Sequence, residues 1–461
     1  MSAIVVEETG IPGLMLVGLP LHRDHRGWFK ENWQREKMTA LGLPDFGPVQ
    51  HSVIWNDPRG VTRGFHAEPW DKLVSVATGR VFSAWVDLRE GAGFGRCVTV
   101  ELGPDKAAFV PRGVANSFQT LEPQTVYSYL VNEHWSPAAL AEYTYVNLSD
   151  PSLNVDWPIP LAEATISTAD AAHPPLAEVV PVPPRRTVIV GANGQLGRAL
   201  RALLPEAEVL SQSDFDYTDP AIVERYPWRG VGTIINAAAY TAVDKAETPE
   251  GRLACWSTNV QGVANLCRAA VANRAVLVHV SSDYVFDGTA EQHREDEPFS
   301  PLSVYGQTKA AADVLVGQLA RHYVIRTSWV VGDGPNFVRT MAGLAHKGVS
   351  PSVVADQFGR LTFATDLAAG IVHLVRSEAP YGTYNLTNGG PVQSWYDVAR
   401  DVFRLCGRAG EDVHPTTSEA YAAGKLVAPR PRNSALDLSR IRSSGFEPAP
   451  AGQRLREYLA D

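Results

Sequence analysis

The sequence predicts two domains of different class: an all-β domain over residues 1–176 and an α/β domain with a doubly wound parallel sheet over residues 186–461. The first part contains many short apolar segments separated by turn residues such as Thr78-Gly79-Arg80, which is typical of a sandwich or barrel. The segment 173–184, HPPLAEVVPVPP, is rich in proline, and we interpret residues 177–185 as a linker. Beyond it, strand-like and helical segments alternate, which indicates a parallel sheet.

Composition and charge exclude several classes of function. The 461 residues are 45% hydrophobic and 20% charged, as in an ordinary globular protein of two or three domains. A net charge of -9 argues against non-specific binding to nucleic acid. No apolar run is long enough to span a membrane, and the N-terminus lacks the pattern of a signal peptide. The four cysteines are scattered without a C-x-x-C motif, so we expect a cytoplasmic protein without structural zinc.

The apolar pattern predicts individual elements in both parts. In the first domain the predicted strands are 73–76, 81–86, 97–102, 107–110 and 125–131. In the second domain the predicted strands are 187–190, 234–236, 277–281 and 323–327, and the predicted helices are 259–272 and 303–319. The last stretch, from about 336 to 461, is mixed, and we expect it to form a small cap over the carboxyl ends of the strands.

A glycine-rich turn follows the first strand of the second domain. Gly191, Gly194 and Gly197 form the pattern G-x-x-G-x-x-G between a β-branched strand and a helix. Such glycines permit a tight turn, let the backbone approach a pyrophosphate, and let the helix pack closely on the strand. The phosphates then lie at the free N–H groups of the helix N-terminus. The pattern alone is weak evidence, but the preceding strand and the strand–helix alternation strengthen a prediction of dinucleotide binding.

Two further motifs in this domain predict hydride chemistry. Tyr305 and Lys309 are four residues apart, so a helix presents them on one face, where the ammonium can lower the pKa of the phenol. Ser282 ends a predicted strand, at the edge of the sheet where such folds bind ligands. A Y-x-x-x-K pair alone is equally compatible with a solvated helix face. Combined with the glycine turn and the serine, it favours a hydride-transfer site.

The second domain resembles dTDP-4-dehydrorhamnose reductase, of the extended short-chain dehydrogenase/reductase group with a Rossmann fold. The matching segments run in order from about 187 to 440: GANGQLG, INAAAYTAVDKAE, SSDYVFDG, PLSVYGQTKAAAD, RTSWVVG, DQFGR and RPRNSALD. The resemblance implies that Tyr305 donates a proton to O4 of the sugar while a nicotinamide delivers hydride to C4. It also implies that Lys309 holds the nicotinamide ribose and that Ser282, where the family usually has threonine, bonds the carbonyl oxygen.

The same resemblance implies binding residues and two departures. The implied cofactor contacts, besides Tyr305 and Lys309, are Gly191, Asn193, Gly194, Gln195, Leu196, Gly197, Asn236, Ala237, Ala238 and Ala239. The implied substrate contacts are Val243, Asp244, Trp329 and Arg430. Ser211 and Gln212 stand where an acidic residue favours NAD, so we expect NADPH, with NADH as the alternative. Leu361 replaces the proline of D-Q-x-G-x-P-T, and no motif supports a Mg²⁺ requirement, which stays open for this half.

The first domain contains a candidate acid–base site. Histidine is a residue type suited to general-base catalysis at neutral pH, so His66 could be a general base, with Lys72 close in sequence. A lone histidine in a strand is more often structural, and the candidate partner that shifts the balance is Asp170. A carboxylate on one ring nitrogen fixes the tautomer and stabilises the imidazolium.

Residues 13–176 resemble dTDP-4-dehydrorhamnose 3,5-epimerase, a cupin-type jelly roll. The matching segments are HRDHRGWFKENW, TRGFHAEPWDKLVSVATGRVFSAWVDLREG, FVPRGVANSFQTL, VYSYLVNEHWSP, DPSLNVDWP and STADAAHPPL. The resemblance implies that His66 is the base, with Asp170 behind it, and that Tyr129 is the acid on the opposite face of the sugar. Lys72 would stabilise charge on O4, and no metal is required. The implied nucleotide and diphosphate contacts are Arg26, Glu31, Gln50 and Arg63.

One position departs from the epimerase pattern. Many members have F-A-H-G-F where this chain has Val114-Ala115-Asn116-Ser117-Phe118. Asn116 can bond a substrate oxygen but cannot shuttle a proton. We interpret this as a variant site, and it leaves open whether both C3 and C5 are inverted.

The two resemblances together imply a bifunctional enzyme that acts on a dTDP-linked 4-keto-6-deoxyhexose. It would epimerise C3 and C5 of dTDP-4-dehydro-6-deoxy-D-glucose and then reduce C4 to give dTDP-L-rhamnose. The alternatives are the same chemistry on another nucleotide sugar, a non-catalytic NADP-binding regulatory protein, and a first domain that only binds carbohydrate. Retention of the acid–base residues in both halves argues against the two non-catalytic alternatives. We expect a homodimer through the N-terminal domain, and neither a nucleic-acid nor a membrane partner.

Overall fold

The computed structural model describes residues 3–460 and separates the chain into two compact units. The division falls between Pro184 and Arg185. The first unit is β-rich and the second is α/β, as predicted. No helix within residues 3–460 combines the length and apolar character that crossing a membrane requires.

Within residues 3–184 the first unit contains thirteen strands and two short α-helices. The helices are Arg35–Ala40 (α1) and Thr168–Ala171 (α2). The strands are Val5–Glu8 (β1), Met15–Gly18 (β2), His22–Asp24 (β3), Gly27–Phe29 (β4), Gln50–Asn56 (β5), Thr62–Ala67 (β6), Lys72–Thr78 (β7), Val81–Asp87 (β8), Cys97–Leu102 (β9), Lys106–Val110 (β10), Val114–Thr120 (β11), Thr125–Val131 (β12) and Thr144–Tyr145 (β13).

Two antiparallel sheets build this unit. One sheet has the order β1-β2-β10-β7-β12-β5 and the other the order β13-β6-β11-β8-β9. Side chains from both sheets meet in one core, in which Trp85 is fully buried and Phe118 stacks on Tyr127 with ring centroids 4.1 Å apart. Alternate residues of some strands lie in this core, such as Val74 and Val76 of β7 and Ala108 and Val110 of β10. The rest of each inner face remains available to hold a site between the sheets.

The proline-rich stretch is not a free linker over its whole length. Val179 and Val182 are buried in the core of the first unit. The amide of Val182 donates to Leu88 O at 2.7 Å, and the amide of Glu90 donates to Val182 O at 3.0 Å. The prediction of a linker over 177–185 was therefore wrong for residues up to Val182, because two apolar side chains and a pair of backbone hydrogen bonds hold the segment on the unit that precedes it.

The second unit alternates strands and helices. The helices are Gln195–Leu203 (α3), Pro220–Arg225 (α4), Pro249–Trp256 (α5), Val263–Asn273 (α6), Val304–Gly317 (α7), Phe337–His346 (α8), Ala364–Arg376 (α9), Trp395–Leu405 (α10), Ser418–Ala422 (α11), Ser439–Ser443 (α12) and Ala451–Ala460 (α13). The strands are Arg186–Val190 (β14), Glu208–Leu210 (β15), Val231–Asn236 (β16), Val276–Ser282 (β17), His322–Thr327 (β18), Val330–Val331 (β19), Ser352–Val354 (β20), Phe358–Gly359 (β21), Thr362–Phe363 (β22), Gly382–Asn385 (β23), Gln393–Ser394 (β24) and His414–Thr416 (β25).

A six-stranded parallel sheet forms the centre of this unit. Its order is β15-β14-β16-β17-β18-β23, and apolar clusters cover both faces. The chain leaves β14 in one direction to β15 and later returns on the other side to β16, so the order reverses beside β14. Parallel sheets bind ligands in the crevice outside the carboxyl ends of the strands at such a reversal. The fold therefore places a site above β14 and β16.

The C-terminal stretch does more than form a cap. Strand β23 joins the edge of the main sheet, and α9 packs with α3 on one face of it. Other elements of 336–461, including α8, α10 and α13, contribute to a separate cluster. The expectation that this whole stretch is a cap was wrong in this respect, because buried side chains such as Leu367 and Ile371 complete the core of the sheet.

Candidate active sites

In the first unit, His66 and Asp170 meet. His66 lies on β6, and its Nε2 is 2.8 Å from Oδ1 of Asp170. Asp170 lies on α2, where its amide donates to the hydroxyl of the capping residue Ser167 at 3.0 Å. Burial has the largest single effect and by itself raises the pKa of Asp170. The hydrogen bond and the charge of His66, with smaller effects of Ser167 and His173, together outweigh burial and leave the pKa below its usual value. The pair is thus a carboxylate that orients an imidazole.

A second histidine adjoins this pair. His173 Nε2 is 3.9 Å from the same Asp170 oxygen, and its ring stacks on Tyr145 with centroids 4.6 Å apart. Burial, and then the neighbouring His66, lower the pKa of His173. His173 lies in the segment STADAAHPPL, and nothing in its sequence neighbourhood indicates that it joins the site.

A cavity of ≈ 320 Å³ adjoins the aromatic side chains next to His66. Tyr143, which lines the cavity, lies 5.9 Å from the ring of Tyr145, and Tyr145 lies 5.5 Å from the ring of His66. The complete lining is Gln50, Ser52, Glu68, Trp70, Tyr129, Val131, Trp135 and Tyr143. The predicted base therefore comes from the five-stranded sheet, and the predicted acid Tyr129 comes from β12 of the other sheet.

Glu68 is a buried carboxylate in this site that sequence reasoning missed. Its Oε1 accepts from Lys72 Nζ at 2.5 Å, and its Oε2 accepts from the indole of Trp70. Lys72 Nζ also lies 5.3 Å from the ring centroid of Tyr129. Burial raises the pKa of Tyr129, and the charge of Glu68 raises it further. The only sequence signal was an acidic residue between His66 and Lys72, and spacing cannot show which partner such a residue selects.

Not all of the predicted substrate residues of this unit lie at the cavity. Gln50 lines the cavity, and its side-chain oxygen accepts from the amide of Trp135 at 2.9 Å. Arg63 Nε donates to Oδ1 of Asn56 at 3.2 Å, and the charge of Arg63 lowers the pKa of Tyr129. Arg26 and Glu31 do not reach the cavity. Arg26 is exposed and pairs with Asp24 at 2.5 Å, and Glu31 is half-buried and pairs with Lys37 at 2.6 Å.

Asn116 lies within the sheet beside the predicted base. It is opposite His66 in the register of β11 and β6 and is 8% exposed. Its Oδ1 accepts from the indole of Trp85 at 2.9 Å and from the hydroxyl of Tyr127 at 3.1 Å. The side-chain oxygen of Asn116 is thus already occupied by core residues.

In the second unit, the glycine turn joins β14 to α3. Gly191 has φ +82°, and a Cβ atom there would lie 2.6 Å from the amide nitrogen of Ala238. A Cβ on Gly197 would collide with the carbonyl oxygen of Gly191. Both positions therefore require glycine, and the free N–H groups of the first turn of α3 face a cleft where an anion can bind.

This cleft is a cavity of ≈ 1130 Å³, large enough for a dinucleotide and a sugar. Most of the predicted residues line it: Asn193, Gly194, Gln195, Leu196, Ala237, Ala238, Ala239, Val243, Ser282, Tyr305, Lys309 and Trp329. Asn236 supports the wall, because its Oδ1 accepts from the amide of Ala238 at 3.1 Å. Ser211 and Gln212 also line the cavity.

Tyr305 and Ser282 are hydrogen-bonded in this cleft, beside a buried carboxyl group. Burial, and then the charge of Asp283, raise the pKa of Tyr305, and the bond with Ser282 only partly opposes them. The expectation that Lys309 lowers the pKa of this phenol was wrong for the described structure, because burial dominates. Asp283, which sequence reasoning missed, accepts from Ser282 Oγ at 2.9 Å, and burial raises its pKa to about 6.

Residues of strand β17 hold the side-chain ammonium of Lys309 in place. Its Nζ donates to Val280 O at 2.6 Å and lies 3.3 Å from Nε2 of His279. His279 is fully buried, and burial, followed by the charge of Lys309, holds its pKa well below the usual value. Burial also lowers the pKa of Lys309 to about 8. Lys309 therefore carries its charge at neutral pH and loses it in mildly alkaline solution.

The predicted substrate residues of this unit form two groups. Asp244 and Arg430 pair with each other at 2.8 Å, and Asp244 also accepts from the amide of Ala428 at 3.0 Å. Trp329 lines the cleft and stacks on Trp395, with centroids 3.6 Å apart. Sequence reasoning missed Trp395, since nothing near residue 329 in the chain indicates that partner.

Comparison with known proteins assigns each unit to a family. Residues 185–461 match the family model described as RmlD substrate binding domain, and residues 8–178 match that of dTDP-4-dehydrorhamnose 3,5-epimerase. The chain belongs to both families, one in each unit. The first unit is therefore called the epimerase unit and the second the reductase unit.

Individual relatives agree with this assignment. A protein named Protein RmlC homolog, from Streptococcus pyogenes, is 48% identical over 38% of this chain and 90% of its own length. A dTDP-4-dehydrorhamnose reductase from Aggregatibacter actinomycetemcomitans is 37% identical over 60% of this chain and 98% of its own length. The solved structure of a dTDP-4-dehydrorhamnose reductase from Bacillus anthracis in complex with NADP is 33% identical. It covers 60% of this chain and 99% of its own, with a TM-score of 0.55.

Proposed function

We propose that this chain carries out two consecutive steps of dTDP-L-rhamnose synthesis. The epimerase unit inverts C3 and C5 of dTDP-4-dehydro-6-deoxy-D-glucose, and the reductase unit reduces C4 of the product. The observation that carries the proposal is that one chain holds an oriented imidazole, His66 with Asp170 at 2.8 Å, and a Tyr305–Ser282–Lys309 set in a dinucleotide-sized cleft. Each set serves one of the two chemistries.

In the epimerase unit, His66 removes the acidic protons next to the C4 ketone. Asp170 fixes the tautomer and stabilises the imidazolium after proton uptake. The resulting enolate places negative charge on O4, where Lys72 stabilises it. Tyr129, which burial and Glu68 keep protonated, donates its own proton to the carbon from the opposite face and so inverts it. Solvent then reprotonates Tyr129 and takes up the proton held by His66.

In the reductase unit, the glycine turn and the cleft suit a nicotinamide dinucleotide. Gly191 and Gly197 have no room for a Cβ, so the backbone stays close to the helix N-terminus where the pyrophosphate would lie. When bound, NADPH supplies the hydride for C4. Tyr305, whose raised pKa keeps it protonated, donates the proton to O4. Lys309 holds the ribose hydroxyls and keeps a positive charge beside the reacting groups.

The wall of the cleft at Ser211 and Gln212 supports NADPH over NADH. Neither side chain carries a negative charge to repel a 2′-phosphate, and the Bacillus anthracis relative was solved with NADP. For Mg²⁺, nothing in the reductase unit gives support: within residues 3–460 its acidic, histidine and cysteine side chains form no group of three that could hold a metal.

We also propose the finer fold assignments and a homodimer. The two antiparallel sheets of the epimerase unit are consistent with a jelly roll, and the parallel sheet of the reductase unit with a Rossmann arrangement. The exposed Arg26 and Phe29 and the half-buried Glu31, on or next to the β3–β4 hairpin, support a second copy as the group that completes the epimerase site.

A single assay in D₂O tests the function. dTDP-4-dehydro-6-deoxy-D-glucose and NADPH are given to the wild type, His66→Ala and Tyr305→Phe, with exposed His51→Ala and Tyr421→Phe as matched controls. NADPH loss is followed together with NMR of the sugar. Tyr305→Phe should exchange deuterium without consuming NADPH, His66→Ala should do neither, and both controls should yield rhamnose deuterated at C3 and C5.

Two outcomes would change the proposal. Deuterium at only one carbon would make the product a different 6-deoxyhexose and would implicate Asn116. Neither exchange nor NADPH oxidation by the wild type would refute the proposed function and favour a binding protein.

A further inference from the structure

We propose that the epimerase unit binds one divalent transition-metal ion, such as Zn²⁺, through His66, Asp170 and His173, and that the bound ion switches epimerisation off. The binding does not depend on the proposed function, whereas the inhibition rests on it. The three residues are the only group of three or more potential metal ligands within residues 3–460.

The distances suit a three-ligand site. Oδ1 of Asp170 is 2.8 Å from Nε2 of His66 and 3.9 Å from Nε2 of His173, and the three ligand atoms lie within 4.8 Å of one another. Tetrahedral zinc with ligands at about 2.0–2.1 Å needs ligand atoms about 3.3 Å apart. Changes of up to about 1.5 Å in the separations, shared between two side chains that can rotate, bring the three atoms to that spacing.

The chemistry of the ligands also fits. Two imidazoles and one carboxylate are a nitrogen–oxygen set that zinc and other first-row ions accept, with a fourth position left for water. The side chains of Asp170 and His173 are only 10% and 11% exposed, so both are held in place, and Tyr145 stacks on the His173 ring. The His66 side chain is 32% exposed, which leaves a route for the ion and for the water ligand.

The second coordination sphere argues for moderate affinity. Nδ1 of His173 is buried and has no hydrogen-bond partner. Metal-binding histidines usually donate from the other ring nitrogen to an acceptor, and loss of such a partner weakens binding by about 10–100-fold. We therefore infer a reversible site that responds to the concentration of free metal, and not a resident cofactor.

Inhibition follows from the same atoms. With its Nε2–H bonded to Asp170, His66 acts as a base through the lone pair on Nδ1. A metal on Nε2 requires the neutral tautomer that carries the proton on Nδ1, so that lone pair can no longer accept a proton from the substrate. Asp170 would be withdrawn from its role of stabilising the imidazolium. A metal ion here therefore removes both halves of the base, while the reductase unit, whose lining residues are all its own, is unaffected.

Binding is tested on the full chain, freed of metal with EDTA and titrated with Co²⁺, by following the visible d–d absorption. The variants are His173→Gln and, as a matched control, exposed His51→Gln, and thermal unfolding verifies that both are folded. The wild type and His51→Gln should show one saturable site, and His173→Gln should bind at least about tenfold more weakly. Equal affinity in His173→Gln and the wild type, or a cobalt–thiolate charge-transfer band, would refute the site.

Inhibition is tested separately by deuterium exchange in the absence of NADPH. Zn²⁺ should suppress exchange by the wild type, and EDTA should restore it. For each variant the effect is expressed against its own zinc-free rate, and His173→Gln should need at least about tenfold more zinc. Binding without suppression of exchange would overturn the switch. A chain that never exchanges deuterium would instead refute the proposed function and leave the cobalt result standing.

Discussion

Replacement of Asp283 by asparagine should stabilise the reductase unit at neutral pH. Asp283 is only 2% exposed, and burial raises its pKa from the usual 3.8 to about 6, against the opposing bonds from serine side chains. Asparagine has nearly the same shape and keeps an oxygen that can accept from Ser282 Oγ, as Asp283 does at 2.9 Å. The substitution therefore removes the ionisation and little else.

The size and sign of the effect follow from proton linkage. The folded unit binds the Asp283 proton more tightly than the unfolded chain does. Asp283 therefore leaves the free energy of unfolding unchanged below pH 3.8 and lowers it progressively as the pH rises to the folded pKa of about 6. At about 1.4 kcal/mol for each pH unit, the rise in pKa amounts to about 3 kcal/mol above pH 6. Asp283→Asn should recover most of it at pH 7.5 and none at pH 4. For a unit of this size the melting temperature should rise on the order of 5 °C.

Thermal unfolding at pH 4, 5, 6 and 7.5 measures this. The transition of the reductase unit is the one that NADPH shifts upward. Asp287→Asn is the control of opposite sign, because backbone and side-chain bonds from Thr289 lower the pKa of Asp287 and its ionised form is favourable. A stabilisation that does not grow with pH between 4 and 6, or a loss of stability at pH 7.5, would refute the reasoning.

Three further predictions concern activity. Asp170→Asn should reduce deuterium exchange by about 10²–10⁴-fold, since the imidazole loses the carboxylate that orients and stabilises it, and should leave NADPH binding unchanged. NMR measures the exchange, and fluorescence titration measures NADPH binding. The reductase rate should fall as the pH rises through about 8, where Lys309 loses its proton, and Lys309→Met should abolish that limb in a kcat–pH profile. Glu68→Gln should move the alkaline limb of the exchange profile to lower pH, because the pKa of Tyr129 falls when the carboxylate is removed. An unchanged limb would refute this last role.

Local pattern predicted the elements well, and two strands, Cys97–Leu102 and Thr125–Val131, have the predicted bounds. The glycine turn was equally accessible, because a positive φ and a blocked Cβ constrain residue type directly at Gly191. Long-range partners were not accessible in this way. His66 and Asp170 are 104 residues apart, and only a family resemblance connected them before the structure did.

The residues that sequence reasoning missed share a physical cause. Glu68 and Asp283 act through their burial, which depends on the tertiary fold. Trp395 acts through stacking on Trp329, a partner that is distant in the sequence. The length of the linker was overestimated because its packing also depends on the tertiary fold. Proline predicts an extended backbone, but Val179 and Val182 determine where that backbone packs.

On the proposed function, the two units treat the same carbonyl oxygen in opposite ways, and their electrostatics differ accordingly. Epimerisation must stabilise charge on O4 without protonating it, which calls for a cation, and Lys72 is held in place by the carboxylate of Glu68. Reduction must protonate O4, which calls for an acid that stays protonated until hydride arrives, and burial with Asp283 raises the pKa of Tyr305 to that end. The two steps place opposite requirements on O4, which must stay unprotonated in the first and accept a proton in the second. Two separate sites, each lined by its own unit, resolve the conflict.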